Sequence, residues 1–314
     1  MQDAIIQAVL IAAIIVLYTL QSLFSKMYTD NYPGKADHAP EVFAIICAIV
    51  VPLISLGFAG FSFGPFRWET LVFGLANAVI LYGYDQFIIK ASTKGPYSIM
   101  MVFSLGGGII IPALFALLPF EPFGGSFSIT QFVAIAIICT AVYMVSVKKE
   151  EGEENGTKDL KVFFILSILL AICNGLYGVM FVVQEGITGV EDKPLFIIYS
   201  FLGAGIISAV RLIIGAKKDT PRAFVQNKKS LIFLILAALV SAVAVNVLSI
   251  LLTVVNETVL YTFDNAGVML LSALASALIF KDKLSKLNIV GCIIMTLALV
   301  MMGASGIIDA WLFG

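Results

Sequence analysis

Long apolar runs separated by short polar breaks organise this chain from end to end. Ten runs stand out, at residues 4–27, 41–60, 67–92, 94–118, 129–147, 161–187, 194–215, 230–254, 256–280 and 286–305. A bilayer core takes about 20 mostly apolar residues per helix. The pattern therefore predicts an all-α integral membrane protein with ten transmembrane helices. Asn31-Tyr32-Pro33-Gly34, Glu121-Pro122-Phe123-Gly124-Gly125 and Lys217-Lys218-Asp219-Thr220-Pro221 are breaks with turn chemistry. The breaks at Ser92-Thr93 and Val255-Asn256 are short enough to imply tight helical hairpins. The first run has Asp3, and no Lys or Arg, ahead of it. It lacks the positive n-region and the cleavage site of a signal peptide, so it is read as a membrane helix.

Composition narrows the class. Of 314 residues, 60% are apolar and 12% charged, with a mean hydropathy of +1.04. Soluble domains carry roughly 25% charged residues, and disorder needs low hydrophobicity, so both classes are excluded. One histidine and sparse charge leave little for a metal site or a nucleic-acid surface. Neither partner is expected, nor any cofactor. Cys47, Cys139, Cys173 and Cys292 lie in apolar runs with no CxxC spacing, and are read as small buried apolar residues.

The sharpest change in composition is KKEEGEENGTKDLK, from Lys148 to Lys161. It reads as a solvated linker, giving an N-terminal five-helix unit over 1–148, a linker over 149–160 and a C-terminal five-helix unit over 161–314. A shift of about 160 residues lays the third and fourth runs on the eighth and ninth without gaps. Leu71 falls on Leu231, Phe103 on Phe263, Gly107 on Gly267 and Gln86 on Asn246. An odd number of helices per unit makes the second copy enter the membrane the other way up, an arrangement many secondary transporters use. The expected architecture is two inverted five-helix repeats around a central cavity. All of the 19 Lys and Arg except Arg67 and Lys193 lie in or beside the odd-numbered loops. The positive-inside rule then puts those loops in the cytoplasm and both termini outside.

Polar groups in lipid are costly and normally face a bundle interior. The ninth run stacks Glu257, Thr258, Tyr261, Asp264, Asn265, Ser272 and Ser276 in one stripe. Asp264 sits roughly 12 Å from the helix start at 1.5 Å per residue. The third run carries Tyr82, Asp85 and Gln86 on one face and Asn77 and Tyr84 on another. The sixth has Asn174, Tyr177 and Gly178, and the eighth has Asn246, Ser249 and Thr253. The first has Tyr18, Gln21, Ser22 and Ser25, and the fourth Tyr97, Ser104 and Gly108. Runs 1, 3, 4, 6, 8 and 9 are thus expected to build a polar interior, with the other four as an outer shell. Tyr82, Gln86, Asn174, Tyr177, Asn246, Tyr261 and Asn265 are the candidate substrate-binding residues. Asp264 and Asp85 are the candidate ion-coupling residues. The alternative is interhelical glue, which Asn, Gln, Ser and Thr also supply. Gly106-Gly107-Gly108 suits close helix approach, and Pro52 and Pro112 suit kinks.

The chain resembles the ten-helix, EamA-like branch of the drug/metabolite transporter superfamily. The resemblance rests on two five-run halves in about 300 residues. It rests also on NAGVMLLSALASALIFKDKLSKLNIVGCIIMTLALVMM, from Asn265 to Met302, and on the corresponding Pro96–Phe123 and Ser128–Val145 segments. It implies a basket of helices around a central cavity, opened by rocking of the halves. Two features depart from the family. Lys281 and Asp282 stand where a Glu is frequent, and the first run has no carboxylate after Asp3. The family is also usually drawn with both termini in the cytoplasm, the reverse of the Lys and Arg count.

The leading expectation is a secondary transporter moving a small polar organic metabolite, with a proton as a candidate coupling ion, in a bacterial cytoplasmic membrane. It is not expected to be an enzyme: His38 lies in a loop with no catalytic constellation around it, and no GxxxxGK[ST] motif is present. The remaining alternatives are a non-transporting membrane receptor or assembly partner and, further back, an integral membrane enzyme. Sugars, amino acids, nucleosides and amines suit the candidate lining equally.

Overall fold

The structure, a computed structural model, describes residues 2–62, 66–116, 118, 128–146, 157–216, 223–224, 227–255, 257–281 and 285–313. Every apolar run becomes a helix: α1 (Gln2–Asn31), α2 (Ala39–Phe58), α3 (Trp68–Ser92), α4 (Tyr97–Ala116), α5 (Ile129–Ser146), α6 (Thr157–Thr188), α7 (Lys193–Ala216), α8 (Lys228–Leu251), α9 (Glu257–Ala275) and α10 (Lys286–Gly303). The sequence pattern missed a short final helix, α11 (Ser305–Phe313), and a π-helical turn, Ser276–Phe280, that extends α9. No strand occurs among the described residues. The linker expected at 149–160 falls outside the described residues up to 156, and 157–160 are the first turn of α6.

Eight of the described helices are long and apolar enough to cross a membrane: α1 to α4 and α6 to α9. The chain is a multi-pass membrane protein. The apolar part of α5 is shorter, and α10 and α11 form a pair bent by 71°. Thr130 at the start of α5 hydrogen-bonds Asp309 of α11, tying the last helix to α5.

Helix faces follow from burial. On α7, Ile197, Phe201, Ala204, Ser208 and Leu212 point inward, while Leu202, Ile206, Val210 and Ile213 are exposed. Both sets follow the spacing of three or four residues that marks one helix face. With apolar residues outside as well as inside, burial in water cannot drive the packing, and small residues let backbones approach instead. A Cβ at Gly203 of α7 would lie 2.6 Å from Ala78 on α3, and one at Gly205 would strike Ala48 on α2. A Cβ at Gly107 of α4 would strike the backbone of Ala171 on α6, and one at Gly175 would come within 2.5 Å of the Gly107 carbonyl. The glycine triplet is therefore a crossing point.

The main packing partners are α1 with α8 and α9, α2 with α7 and α8, α3 with α6 and α7, α4 with α6 and α9, and α10 with α5 and α9. Of the cysteines, Cys47 and Cys292 are buried as expected, but Cys173 is half-buried and Cys139 lies exposed on the outer face of α5.

Candidate functional site

A cavity of about 100 Å³ lies among α1, α2, α3, α4, α6, α7, α8 and α9. A water needs about 10–15 Å³ of such space, so several waters fit. Its polar lining comes from Tyr18, Gln21 and Ser22 on α1, Tyr84 and Asp85 on α3, and Asn174 and Tyr177 on α6. Ser241 on α8 and Tyr261, Asp264 and Asn265 on α9 complete it. Among the described residues no Lys, Arg or His lines it.

Two asparagines are fixed over a glycine. Asn174 donates its Nδ2 to the Ser104 carbonyl at 2.9 Å. Asn265 donates its Nδ2 back to the Tyr261 carbonyl at 2.6 Å, one turn earlier. Gly108 faces both, because a Cβ there would lie 2.7 Å from Asn174 Nδ2 and 3.3 Å from Asn265 Oδ1. Asp264 is 7% exposed, and its Oδ1 has no hydrogen-bond partner among the described residues; the same holds for the Tyr18 hydroxyl. Tyr18 lies within electrostatic reach of Tyr177, Asp264, Tyr261 and Tyr84. Buried polar groups are normally paired with protein or ordered water, so both atoms are set to meet a solute or water.

Six of the nine candidate residues meet at this cavity: Asp85, Asn174, Tyr177, Tyr261, Asp264 and Asn265. The other three, Tyr82, Gln86 and Asn246, do not line it. Tyr82 hydrogen-bonds Arg211. Gln86 donates to Glu41 Oε2 at 2.9 Å, and Arg211 Nε pairs with Glu41 Oε1 at 3.2 Å. Both residues thus belong to a cluster between α2, α3 and α7. Asn246 donates to Ser55 Oγ on α2 and to the Ala242 carbonyl, each at 2.8 Å, which makes it glue between α8 and α2.

The reason on α3 is a rotation of about one residue. Leu81, Tyr84 and Asp85 face the cavity at three- and four-residue spacing. Tyr82 and Gln86 are one step round the helix, toward α2 and α7. The fourth run also differs from expectation: α4 lines the cavity with Met101, Leu105 and Gly108, and no polar side chain. Its Tyr97 hydrogen-bonds Ser22, lies 3.4 Å from Ser272 Oγ and packs against Phe280 with ring centroids 5.2 Å apart and planes tilted by 58°. Two of the four expected outer helices also reach the lining, α2 through Phe43 and Cys47 and α7 through Phe201. Glu257 and Thr258 of the stripe have side chains outside the described residues.

Both ends of the bundle are bridged. Where α1 and α3 finish, Lys26 bonds Asp30 and the Ser92 carbonyl, each at 3.1 Å, and stands over the Phe280 ring. At the opposite end, Arg67 donates to the Thr188 carbonyl at 2.6 Å and lies 3.6 Å from Asp192. Thr70 donates to Asp192 at 2.7 Å, and Lys193 pairs with Glu185 at 2.6 Å.

No family model matches the chain. No curated protein matches it either. Among solved structures, a crystal structure with a TM-score of 0.66 and 13% sequence identity aligns over 98% of this chain and 99% of its own. At that identity the likeness concerns the fold alone, and it spans both proteins almost entirely.

Proposed function

We propose that the chain is a secondary transporter of the drug/metabolite type. Ten crossings, in two inverted five-helix halves, rock about the cavity to expose it to each side in turn. The observation that carries this reading is the cavity itself. It has room for several waters, it lies among mid-helix residues of a membrane bundle, and it is lined by tyrosines, amides and two carboxyls.

The repeat draws support from packing. Advancing each helix by five turns the α1–α8 pair into α6–α3, α3–α7 into α8–α2, and α4–α6 into α9–α1, while α2–α7, α5–α10 and α4–α9 map onto themselves. Every one of these pairs is in contact. The correspondence extends to residues 160 apart. Gly107 meets Gly175, and Gly267 meets Ile15. The residue before α3, Arg67, bonds the carbonyl of Thr188 near the end of α6, and the residue before α8, Asn227, bonds that of Asn31 at the end of α1. In this reading α5 and the bent α10–α11 pair supply the remaining crossings, and the Lys and Arg distribution puts both termini outside.

The lining divides within matched positions. Leu81 corresponds to Ser241, Asp85 to Val245, Met101 to Tyr261 and Leu105 to Asn265, all in the lining. The scaffold repeats while the chemistry does not, as a carrier with an inverted-repeat frame and one oriented solute requires. An assembly partner would instead be expected to have a filled interior.

Reconstitution into liposomes tests the reading. Uptake of radiolabelled amino acids, sugars, nucleosides and amines is followed with and without a pH gradient, for the wild type and Asp264→Asn. At least one class enters through the wild type, and Asp264→Asn loses that uptake or its response to the gradient. Failure of every class to enter would overturn the carrier reading.

A further inference from the structure

Resting on the carrier reading, we infer that the solute is a compact organic cation bearing one ammonium group. The charge balance of the cavity points there first. Asp85 and Asp264 are 4% and 7% exposed, and both reach the lining. Among the described residues no basic side chain lines the cavity, and the ion pairs lie elsewhere, at Lys26, Arg67, Lys193 and Arg211. An anionic solute would meet two carboxyls and no protein cation. A neutral one would offer neither carboxyl a counter-charge, whereas an ammonium can pair with a carboxyl that is ionised.

The aromatic content points the same way. Tyr18, Tyr84, Tyr177 and Tyr261 all line the cavity, and the first lies within electrostatic reach of the other three and of Asp264. Tyrosine faces attract a cation through the ring quadrupole, most strongly where water is excluded. The unpartnered Asp264 Oδ1 supplies a direct acceptor. A volume of about 100 Å³ is below the roughly 300–1,000 Å³ of drug-sized sites. A headgroup-sized ammonium therefore fits better than a nucleoside or a drug. Asn174 and Asn265 are left to orient a hydroxyl or amide on the same solute.

A matched set of probes tests this on the purified full chain by calorimetry and thermal shift. The set comprises choline, its uncharged isostere 3,3-dimethyl-1-butanol, the zwitterion alanine, and glucose. Choline should bind at least tenfold more tightly than its isostere. Asp264→Asn and, separately, Asp85→Asn should each weaken choline by tenfold or more, and leave the isostere within about twofold. Melting curves identify any variant that fails to fold. Where one does, Tyr177→Leu provides the second measurement, and it should weaken choline selectively. Equal binding of choline and its isostere would overturn the inference, as would a preference for alanine or glucose, and in either case the carrier reading would stand. Absence of binding by all four, together with absence of uptake of every class into liposomes, would overturn both.

Discussion

Asn174 of α6 spans to α4 to bond the Ser104 carbonyl at 2.9 Å, and the helix surface beneath it is bare because residue 108 is glycine. The two features depend on each other. A methyl at 108 would lie 2.7 Å from Asn174 Nδ2. Gly108→Ala is expected to destabilise by about 1–3 kcal/mol, the usual range for overpacking, and to weaken solute binding. Asn174→Ala forfeits one hydrogen bond, about 1 kcal/mol. Because the second change removes the clash made by the first, the double variant should cost less than the sum of the two. Melting temperatures of the four proteins in one detergent decide it. Additivity would mean that the two residues do not touch.

The α4–α6 crossing makes a sharper contrast among glycines. A Cβ at Gly175 would lie 2.5 Å from both the Gly107 carbonyl and Ile111 Cβ, whereas nothing lies within 4 Å of one at Gly57. Gly175→Leu should abolish the monodisperse peak in size-exclusion chromatography. Gly57→Ala should leave the peak unchanged and alter stability by no more than about 0.5 kcal/mol.

Glu41 is the buried member of an unequal pair. Its side chain is 3% exposed, against 54% for Arg211. Removing the exposed partner strands a buried carboxylate, while neutralising the buried one leaves a cation that can turn to solvent. Arg211→Met should therefore lower the melting temperature more than Glu41→Gln does. A full buried-pair loss of about 3–5 kcal/mol sets the ceiling, and the exposure of Arg211 brings the expected value to about 1–2 kcal/mol. The opposite order would place the charge balance elsewhere.

Arg67 bridges the end of α6 and the turn before α7 through the Thr188 carbonyl and Asp192. Under alternating access these bonds hold that end shut. In a background without the four native cysteines, Arg67→Ala should raise maleimide labelling of Tyr261→Cys several-fold from that side only. An equal rise from both sides would indicate general loosening.

The apolar runs made the helices legible because lipid and interior both select apolar side chains, so run length survives in the sequence whatever the packing. The same fact hid the interior face. Polar residues on a membrane helix mark either a cavity or a hydrogen bond to a neighbour, and one chain of letters does not separate them. Asn174 and Asn246 look alike in sequence, yet one lines the cavity and the other bonds Ser55. On α3 the spacing Leu81, Tyr84, Asp85 competes with Tyr82, Asp85, Gln86, and only the partners of Gln86 and Tyr82, Glu41 and Arg211, decide between them. Those partners lie 45 and 129 residues away. Tyr18 and Tyr84 were visible as polar letters, and a search for tyrosines at mid-helix depth would have raised both. The glycine triplet was readable, because a close crossing has few other sequence solutions.

Asp85 and Asp264 stand on different halves of the chain and are not counterparts under the 160-residue shift. On the carrier reading each half thus brings one carboxyl to the shared chamber, and a bound cation would act as a rivet across the seam. Occupancy and the closeness of the halves are then one variable. Any tilt that parts the walls would then strain the rivet's hold, so the loaded protein should flex as a single body where the unloaded one flexes as two.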